Sequence, residues 1–434
     1  FIYFNSLAEC CEAVKALREG APVEAVELLD GKSVHFVGAE IEDLPSFFYR
    51  ELKVDSAALL IETMAENSAA LEQNIAQIEH VLAPFKIEES TGFQKERAIT
   101  QRYWDVRKGL LPIISKGRKN GANIITEDVV FPMEHLVEGV EALTKLFEKH
   151  HYPEGMIMGH ALEGNLHFVL APEMDSAEKL QQFDAFMQEL TDLVAVRFEG
   201  SLKGEHGTGR NVAPFVRKEW GDEIYAIMQQ IKALFDPYKI LNPDVVISDN
   251  AELHIQSVKP MPVTDDLINA CMECGFCEPA CPSDGLSLTP RQRISLYRNM
   301  QTLPKSGEGG RLLKKLEKGY QFAGIESCVE TGMCALRCPV GINTGEFIKS
   351  LRPLNRSRLL KLAGTQFAMA EKRVRTGLDL IEKIGTERVS KMTQSAHKLF
   401  KGIPVVPEAL PKRADSLPQL MDPPKIENSV VYFT

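Results

Sequence analysis

Seven of the nine cysteines fall between Cys271 and Cys338, in two short runs of related spacing. Thiols grouped this closely point to metal ligation rather than to scattered disulfides. The first run, Cys271-x2-Cys274-x2-Cys277-x3-Cys281-Pro282, has the spacing that wraps three thiolates around one iron–sulfur cube and aims the fourth at another cluster. A zinc site and reduced structural thiols are the competing readings, but zinc motifs rarely crowd four cysteines ahead of a proline. The second run is Cys328-x5-Cys334-x3-Cys338-Pro339, with Thr331 standing where a further cysteine would complete the set. If the last cysteine of each run crosses over, Cys271, Cys274, Cys277 and Cys338 hold one complete [4Fe-4S] cluster. Cys281, Cys328 and Cys334 are then left with three corners, which suits a [3Fe-4S] cluster. A second four-iron cluster completed by a hydroxyl, a water or an external ligand stays open.

A second chemistry lies in Gly159-His160-Ala161-Leu162-Glu163-Gly164-Asn165-Leu166-His167-Phe168. With Glu163-Gly164 as a two-residue hairpin turn, residue 160 pairs with 167 and the two histidines oppose each other. Opposed strand residues have Cβ atoms about 4.5–5.5 Å apart, close enough for two imidazoles to converge on one ion. Two histidines on neighbouring strands are more often a packing accident, so this hairpin needs a third donor. Lys203-Gly204-Glu205-His206-Gly207-Thr208-Gly209-Arg210 provides one. Its glycines permit close backbone approach to a ligand, yet no strand–helix unit surrounds it as a dinucleotide fingerprint requires. Glu205 as third ligand gives a His2Glu set with an open position, with His206 a free base beside it.

These side chains need elements to carry them. Strands are expected at Phe1–Phe4, Ala25–Leu29, Ala57–Thr63, Asn123–Phe131, Gly155–Met158 and Leu166–Leu170. Helices are expected near 6–19, 67–84, 94–117, 133–150, 176–198 and 216–235, the first opened by the capping box Ser6-x-x-Glu9. Cys10 and Cys11 on that helix read as buried structural thiols. The pattern is α+β, an antiparallel sheet backed by helices over residues 1–255. Pro260-Met261-Pro262 marks a linker. A small α-helical cysteine module follows over 262–350, with helices near 289–300, 309–323 and 344–350. A basic helical extension occupies 351–434, with helix expected over 357–400 and the run Val430–Thr434 opening a further domain. Residues 341–420 hold 15 Lys or Arg against 7 Asp or Glu, which reads as a solvated helical face, a docking face or a membrane-facing surface.

The 434 residues carry a net charge of −10, with 44% hydrophobic and 25% charged residues. That balance argues against a nucleic-acid binder and fits an ordinary globular chain of two or three domains. No apolar run approaches the ~18 residues a membrane-spanning helix needs. The chain begins at Phe1 without a signal peptide, and both ends read as cuts in a longer polypeptide. Free thiols in such numbers suit a reducing compartment, so the expected location is the cytoplasm, at or near the inner face of the membrane.

His160-x4-Asn165-x-His167, then Gly204-Glu205-His206-Gly207-x-Gly209, then Leu241-Asn242-Pro243 resembles the C-terminal cap domain of FAD-linked D-2-hydroxy-acid dehydrogenases of the vanillyl-alcohol oxidase superfamily. The similarity covers residues 1 to about 250. The second cysteine run, followed by Val340-Gly341-Ile342-Asn343, resembles the iron–sulfur subunit of succinate dehydrogenase, where a three-iron cluster has the same departure. Joined in one chain, the two resemble large bacterial D-2-hydroxyglutarate and D-lactate dehydrogenases. The resemblance implies an antiparallel-sheet cap domain followed by an α-helical, ferredoxin-like iron–sulfur domain, with the main FAD-binding domain outside this segment. It further implies a divalent metal, expected to be zinc, on His160, His167 and Glu205, with His206 as base and Asn165 orienting the substrate. Arg107 matches the family's carboxylate-binding arginine. Asn242, Glu205, His206 and Gly207 match flavin-side positions. The implied reaction oxidises a small D-2-hydroxy acid, D-2-hydroxyglutarate before D-lactate, and passes electrons through the clusters to a quinone or carrier protein. Where some D-2-hydroxyglutarate enzymes carry a lysine for the distal carboxylate, this chain reads Ile125-Thr126-Glu127-Asp128, with no replacement evident in the sequence. A non-catalytic flavin and iron–sulfur electron carrier is an alternative, as is a same-superfamily oxidase of glycolate or a phosphorylated alcohol. A homo-oligomer is compatible with all of them.

Overall fold

The computed structural model describes residues 1–259, 261–304, 307–352, 367–400 and 405–407. Residues Phe1–Arg352 form one compact unit and Pro353–Thr434 a second.

The first unit is built on an antiparallel sheet of seven strands: β1 (Ile2–Phe4), β2 (Ala25–Asp30), β3 (Ala57–Glu62), β4 (Glu89–Ser90), β5 (Ile125–Val130), β6 (Met156–His160) and β7 (Asn165–Leu170), in the order β4-β1-β3-β2-β6-β7-β5. Alternating side chains give each face its own core. On one face Val26, Leu28, Leu59, Ile157, Leu166 and Phe168 pack with helices α1 (Leu7–Gly20), α3 (Ser68–Leu82), α5 (Leu136–Lys149) and α6 (Ala177–Thr191). On the other, Leu29, Leu60, Met158 and Val169 pack with α2 (Gly31–Glu40) and α4 (Arg97–Gly117) through Val34, Val37, Val106 and Leu110. Cys10 and Cys11 lie wholly inside the first core. Burial pushes the Cys11 thiol up to about 12 and the Cys10 thiol in the same direction.

Several elements depart from expectation, among them β4, which no expected strand covers. Helix α2 was not foreseen, because Gly31, Gly38 and β-branched valines weaken its propensity; it is fixed instead by Asp30, whose carboxylate caps the Ser33 N–H and also accepts from Ile157 N–H. The Ser6 box forms only by half: Ser6 Oγ accepts from Glu9 N–H, while the Glu9 carboxylate turns to Lys86 N–H. The helix expected to reach residue 198 ends at Thr191 and continues as a wider turn over Asp192–Arg197. Helix α7 (Val216–Phe235) breaks at Gly221, whose φ is 74°.

Residues 261–352 carry α8 (Pro290–Thr302), α9 (Gly307–Tyr320), α10 (Met333–Arg337) and α11 (Thr344–Leu351), gathered on a core of Ile268, Ile294, Tyr320, Phe347 and Ile348. A complete capping box, Thr289 with Gln292, and Pro290 in the first turn fix the start of α8. In the second unit, α12 (Phe367–Ile384) and α13 (Thr386–Leu399) are separated at Gly385, so the helix expected over 357–400 is two helices within the described residues. Pro260 of the linker, residues 357–366 and the run Val430–Thr434 lie outside the described residues.

Candidate active site

The site forms where β2, β6, β7 and β5 run side by side. Register aligns Glu27 with His160 and His160 with Asn165 in one row, and Met158 with His167 and His167 with Asp128 in the next. Alternation then puts Glu27, His160, Asn165, His167 and Asp128 on the α2/α4 face. This corrects the expected hairpin. The turn is not the two residues Glu163-Gly164: Ala161–Glu163 make a 3-10 turn and Gly164, at φ 68°, closes it with an N–H bond to Ala161 O. His160 therefore faces Asn165, and His167 lies diagonal to it. The imidazoles still meet, with ring centroids 5.1 Å apart, because diagonal neighbours on one face stay within reach of long side chains.

The loop between α6 and α7 adds Glu205. Its Oε1 lies 3.3 Å from His160 Nε2 and 3.1 Å from His167 Nε2, and the three donor atoms fall within 4.8 Å of one another. Two imidazoles and a carboxylate closing on one point form a donor set suited to zinc or another first-row ion. Glu27, 2% exposed, takes His160 Nδ1 at 2.5 Å and Arg107 Nε at 2.7 Å. The first bond fixes the ring so that Nε2 faces Glu205. Burial pushes the Glu27 carboxyl up, but the His160 hydrogen bond and the Arg107 charge outweigh it and hold the group below its ordinary value. The Glu27 hydrogen bond in turn raises His160. Burial, reinforced by His206 and Arg107, lowers His167 to about 4, leaving a neutral imidazole near pH 7.

The loop is held by a residue the sequence left unassigned. Asp128 is fully buried, and its Oδ2 accepts from Gly204, Glu205 and His206 N–H at 3.0, 2.5 and 3.2 Å. His206 then lies over His167, centroids 4.6 Å apart, with Nδ1 3.9 Å from Asp128 Oδ1 and Nε2 3.9 Å from Glu205. Asp128, His167 and His206 thus form a second converging trio that shares His167. Asn165 is 9% exposed and packs against Gly204 so closely that a Cβ there would sit 2.6 Å from its side chain. Gly207, at φ 69°, has nothing within 4 Å of where a Cβ would stand, so its backbone borders open space. Asn242 adopts a left-handed φ of 40° in an exposed loop and accepts from Val245 N–H; none of its contacts reaches the histidines.

Sequence reasoning missed Glu27, Asp128 as loop anchor and Lys203. No motif marks Glu27, which reads as one polar residue in an apolar strand. Lys203 pairs with Glu127 on the edge strand and lies 3.6 Å from Asp128. Glu127 also accepts from Asn211 at 2.6 Å.

In the cysteine module, a small cavity of about 20 Å³ is lined by Cys281, Cys328 and Cys334 together with Thr331. Burial raises Cys277 to about 12, and the charges of Cys271 and Cys338 push it the same way. Cys274 is exposed. Arg298, 2% exposed, donates to Ile268, Asn269 and Cys271 carbonyls at 2.7, 3.2 and 2.9 Å. Arg118, at the C-terminal end of α4, donates to Asn269 and Cys271 carbonyls from the other side.

An antiparallel sheet carrying two histidines, followed by a helical module rich in thiols, has its counterpart in two known domain families. Residues 1–246 match the family of FAD linked oxidases, C-terminal domain, and residues 267–342 match the 4Fe-4S dicluster domain. The chain belongs to the FAD-linked oxidase family. It is 26% identical over 395 residues to D-2-hydroxyglutarate dehydrogenase of Escherichia coli strain K12, covering 77% of this chain and 37% of that protein. It is 24% identical over 244 residues to the mitochondrial D-lactate dehydrogenase [cytochrome] of Kluyveromyces lactis, covering 55% of this chain and 40% of the relative. Against D-lactate dehydrogenase of Anaerostipes hadrus the identity is 32% over 148 residues, 34% of this chain and 30% of the relative. The chain thus spans well under half the length of these relatives. No helix among the described residues is long and apolar enough to cross a membrane.

Proposed function

We propose that this chain supplies the substrate-activating half and the electron relay of an FAD-dependent dehydrogenase that oxidises a D-2-hydroxy acid to the 2-oxo acid. D-2-hydroxyglutarate is the favoured substrate and D-lactate the next, in keeping with the relatives' names. The observation that carries the reading is the convergence of His160, His167 and Glu205 beside His206, with buried Glu27 orienting His160 and buried Asp128 holding the Glu205 backbone. A purely structural sheet corner has no use for that set.

His160 Nε2, His167 Nε2 and Glu205 would hold a divalent cation, zinc by donor chemistry, which supplies Lewis-acid polarisation of the substrate hydroxyl. His206 Nε2 accepts the hydroxyl proton, and the Asp128 carboxylate near Nδ1 offsets the charge the ring then carries. Arg107 grips the substrate carboxylate; Glu27 engages Nε, the nitrogen that a grip by the terminal pair does not use. Asn165 orients the substrate from the floor of the hairpin. FAD, held mainly outside this segment, supplies the hydride acceptor, with Gly207 and Asn242 on its side of the site. Cys271, Cys274, Cys277 and Cys338 hold a [4Fe-4S] cluster, and Cys281, Cys328 and Cys334 a [3Fe-4S] cluster, carrying electrons toward a quinone or carrier protein. In this reading residues 1–255 are the cap, 262–350 the iron–sulfur domain and 351–434 a basic extension.

The test is anaerobic flavin bleaching of the full-length protein by D- and L-2-hydroxy acids, with and without a chelator. Rapid, chelator-sensitive bleaching by D-2-hydroxyglutarate or D-lactate is the expected result. Absence of bleaching by every acid would overturn the assignment. Iron near eight per chain, with no three-iron EPR signal in oxidised protein, would replace the three-iron cluster by a four-iron one.

A further inference from the structure

A buried cation lies against the second group of cysteines. Arg293, on α8, is 1% exposed. Its Nε donates to Gly324 O at 2.7 Å, one terminal nitrogen donates to Ser327 Oγ at 3.0 Å, and the other lies 3.8 Å from Cys281 Sγ. The guanidinium is held in place from several sides. Ser327 Oγ itself donates to Ala323 O and accepts from Ser287 Oγ, and Tyr320 O–H donates to the Arg293 carbonyl. Arg293 also lines the cavity shared by Cys281, Cys328 and Cys334.

Its neighbours show what is unusual. Arg298 and Arg352 also serve cysteine loops, but they donate to the carbonyls of Cys271 and Cys328 and are paired with Glu273 and Glu330. They hold loop geometry with their charge already offset. The bonds of Arg293 go to a carbonyl, a hydroxyl and a thiol, and among the described residues no carboxylate pairs with it. A buried cation without a counter-charge is costly. Thiolates, and the negative charge that a cluster brings, are the compensation this cavity offers.

We propose that Arg293 is a positioning and tuning residue of the second cluster: it donates to the Cys281 thiolate and raises that cluster's reduction potential. The proposal rests on the reading that Cys281, Cys328 and Cys334 hold a cluster. In the redox step one electron, derived from the reduced flavin, enters the oxidised cluster and adds one negative charge; no bond forms or breaks, and the arginine keeps its proton. A charge-assisted N–H to sulfur contact is stronger in the more negative state, so it favours the reduced cluster. The second cluster becomes the better electron acceptor, which draws electrons away from the flavin.

The experiment is an EPR-monitored redox titration of the full-length protein, with iron content measured in parallel, for wild type, Arg293→Gln and Arg293→Lys. The expected result is a second-cluster reduction equilibrium weakened about tenfold in Arg293→Gln, a fall of about 59 mV for one electron, with Arg293→Lys between it and wild type. The first cluster stays unmoved and iron content is retained. An unmoved second potential with full iron overturns the proposal, and so does an equal shift of both clusters. If only Arg293→Gln loses the cluster, Arg293→Lys decides by the same criterion, and loss from both variants reduces Arg293 to a structural support. A wild-type protein without any second-cluster signal would instead sink the ligand set itself, a failure distinct from that of the tuning.

Discussion

In the proposed mechanism Asp128 and His206 divide one task between a side chain that stays put and one that carries a proton. Asp128 takes three successive N–H groups through one oxygen, which sets the loop so that Glu205 meets the histidines and His206 stacks over His167. Asp128→Asn keeps the shape but weakens the acceptor, and should cut metal content or bleaching rate about 10–100-fold, the usual cost of losing a ligand's supporting partner. Wild-type metal content and rate in that variant would show the anchor to be dispensable. His206→Ala should abolish substrate reduction of the flavin while flavin and iron contents stay intact; near wild-type bleaching would rule the base out. A third prediction concerns pH. Cys11 titrates near 12 in the fold against an ordinary 9.0, so the folded state binds more protons between those values. Its contribution is fully present below pH 9 and lost as pH rises through the window, at about 1.4 kcal/mol per pH unit. Unfolding measured at pH 8 and pH 10 should therefore show a steeper loss for wild type than for Cys11→Ala, and parallel losses would contradict it.

At the scale of elements, the β6–β7 hairpin decides whether two histidines become a site. Its four-residue turn depends on Gly164, whose left-handed backbone passes so near Phe131 that a Cβ would lie 2.1 Å from the Phe131 carbonyl oxygen. Gly164→Ala should destabilise the fold by about 1–3 kcal/mol and lower metal content with it, because His160 and Asn165 close the turn. A thermal midpoint and metal content matching wild type would mean that the turn tolerates a side chain. The strands were legible because runs such as Ala57–Glu62 are apolar and bounded by polar turns. The turn length was not: Glu163-Gly164 suits a two-residue turn locally, and only its packing against Phe131 selects the longer one. Helix α2 was equally hidden, since Asp30 stabilises it by joining its first turn to a residue 127 positions away.

For the whole molecule, the pairing of cap and cysteine module is the functional statement. In the proposed reaction substrate oxidation releases two electrons together, whereas iron–sulfur clusters pass them singly, so a flavin stage would precede the relay. Arg118 ties the end of α4, the helix that carries Arg107, to the carbonyls around Cys271, so that helix and the first cysteine run share one strut within the first unit. Cys277→Ser should leave bleaching by substrate unchanged yet block reoxidation of the flavin by the natural acceptor. Undiminished turnover with that acceptor would break the proposed wiring.

The sequence by itself determined the kinds of chemistry. Cysteine spacing specifies clusters because a short chain segment can wrap a small cube only at certain intervals, and the His160, His167, Glu205 and His206 types name a metal and a base. It also carried most of the strands, since apolar runs bounded by polar turns are local. The tertiary structure alone decided which atoms face which. Glu27, Asp128 and Arg293 carry no motif, and their partners stand 133, 78 and 12 residues away. Their roles come from burial, which strips away water and leaves each charged group with only those partners that the fold has brought to it.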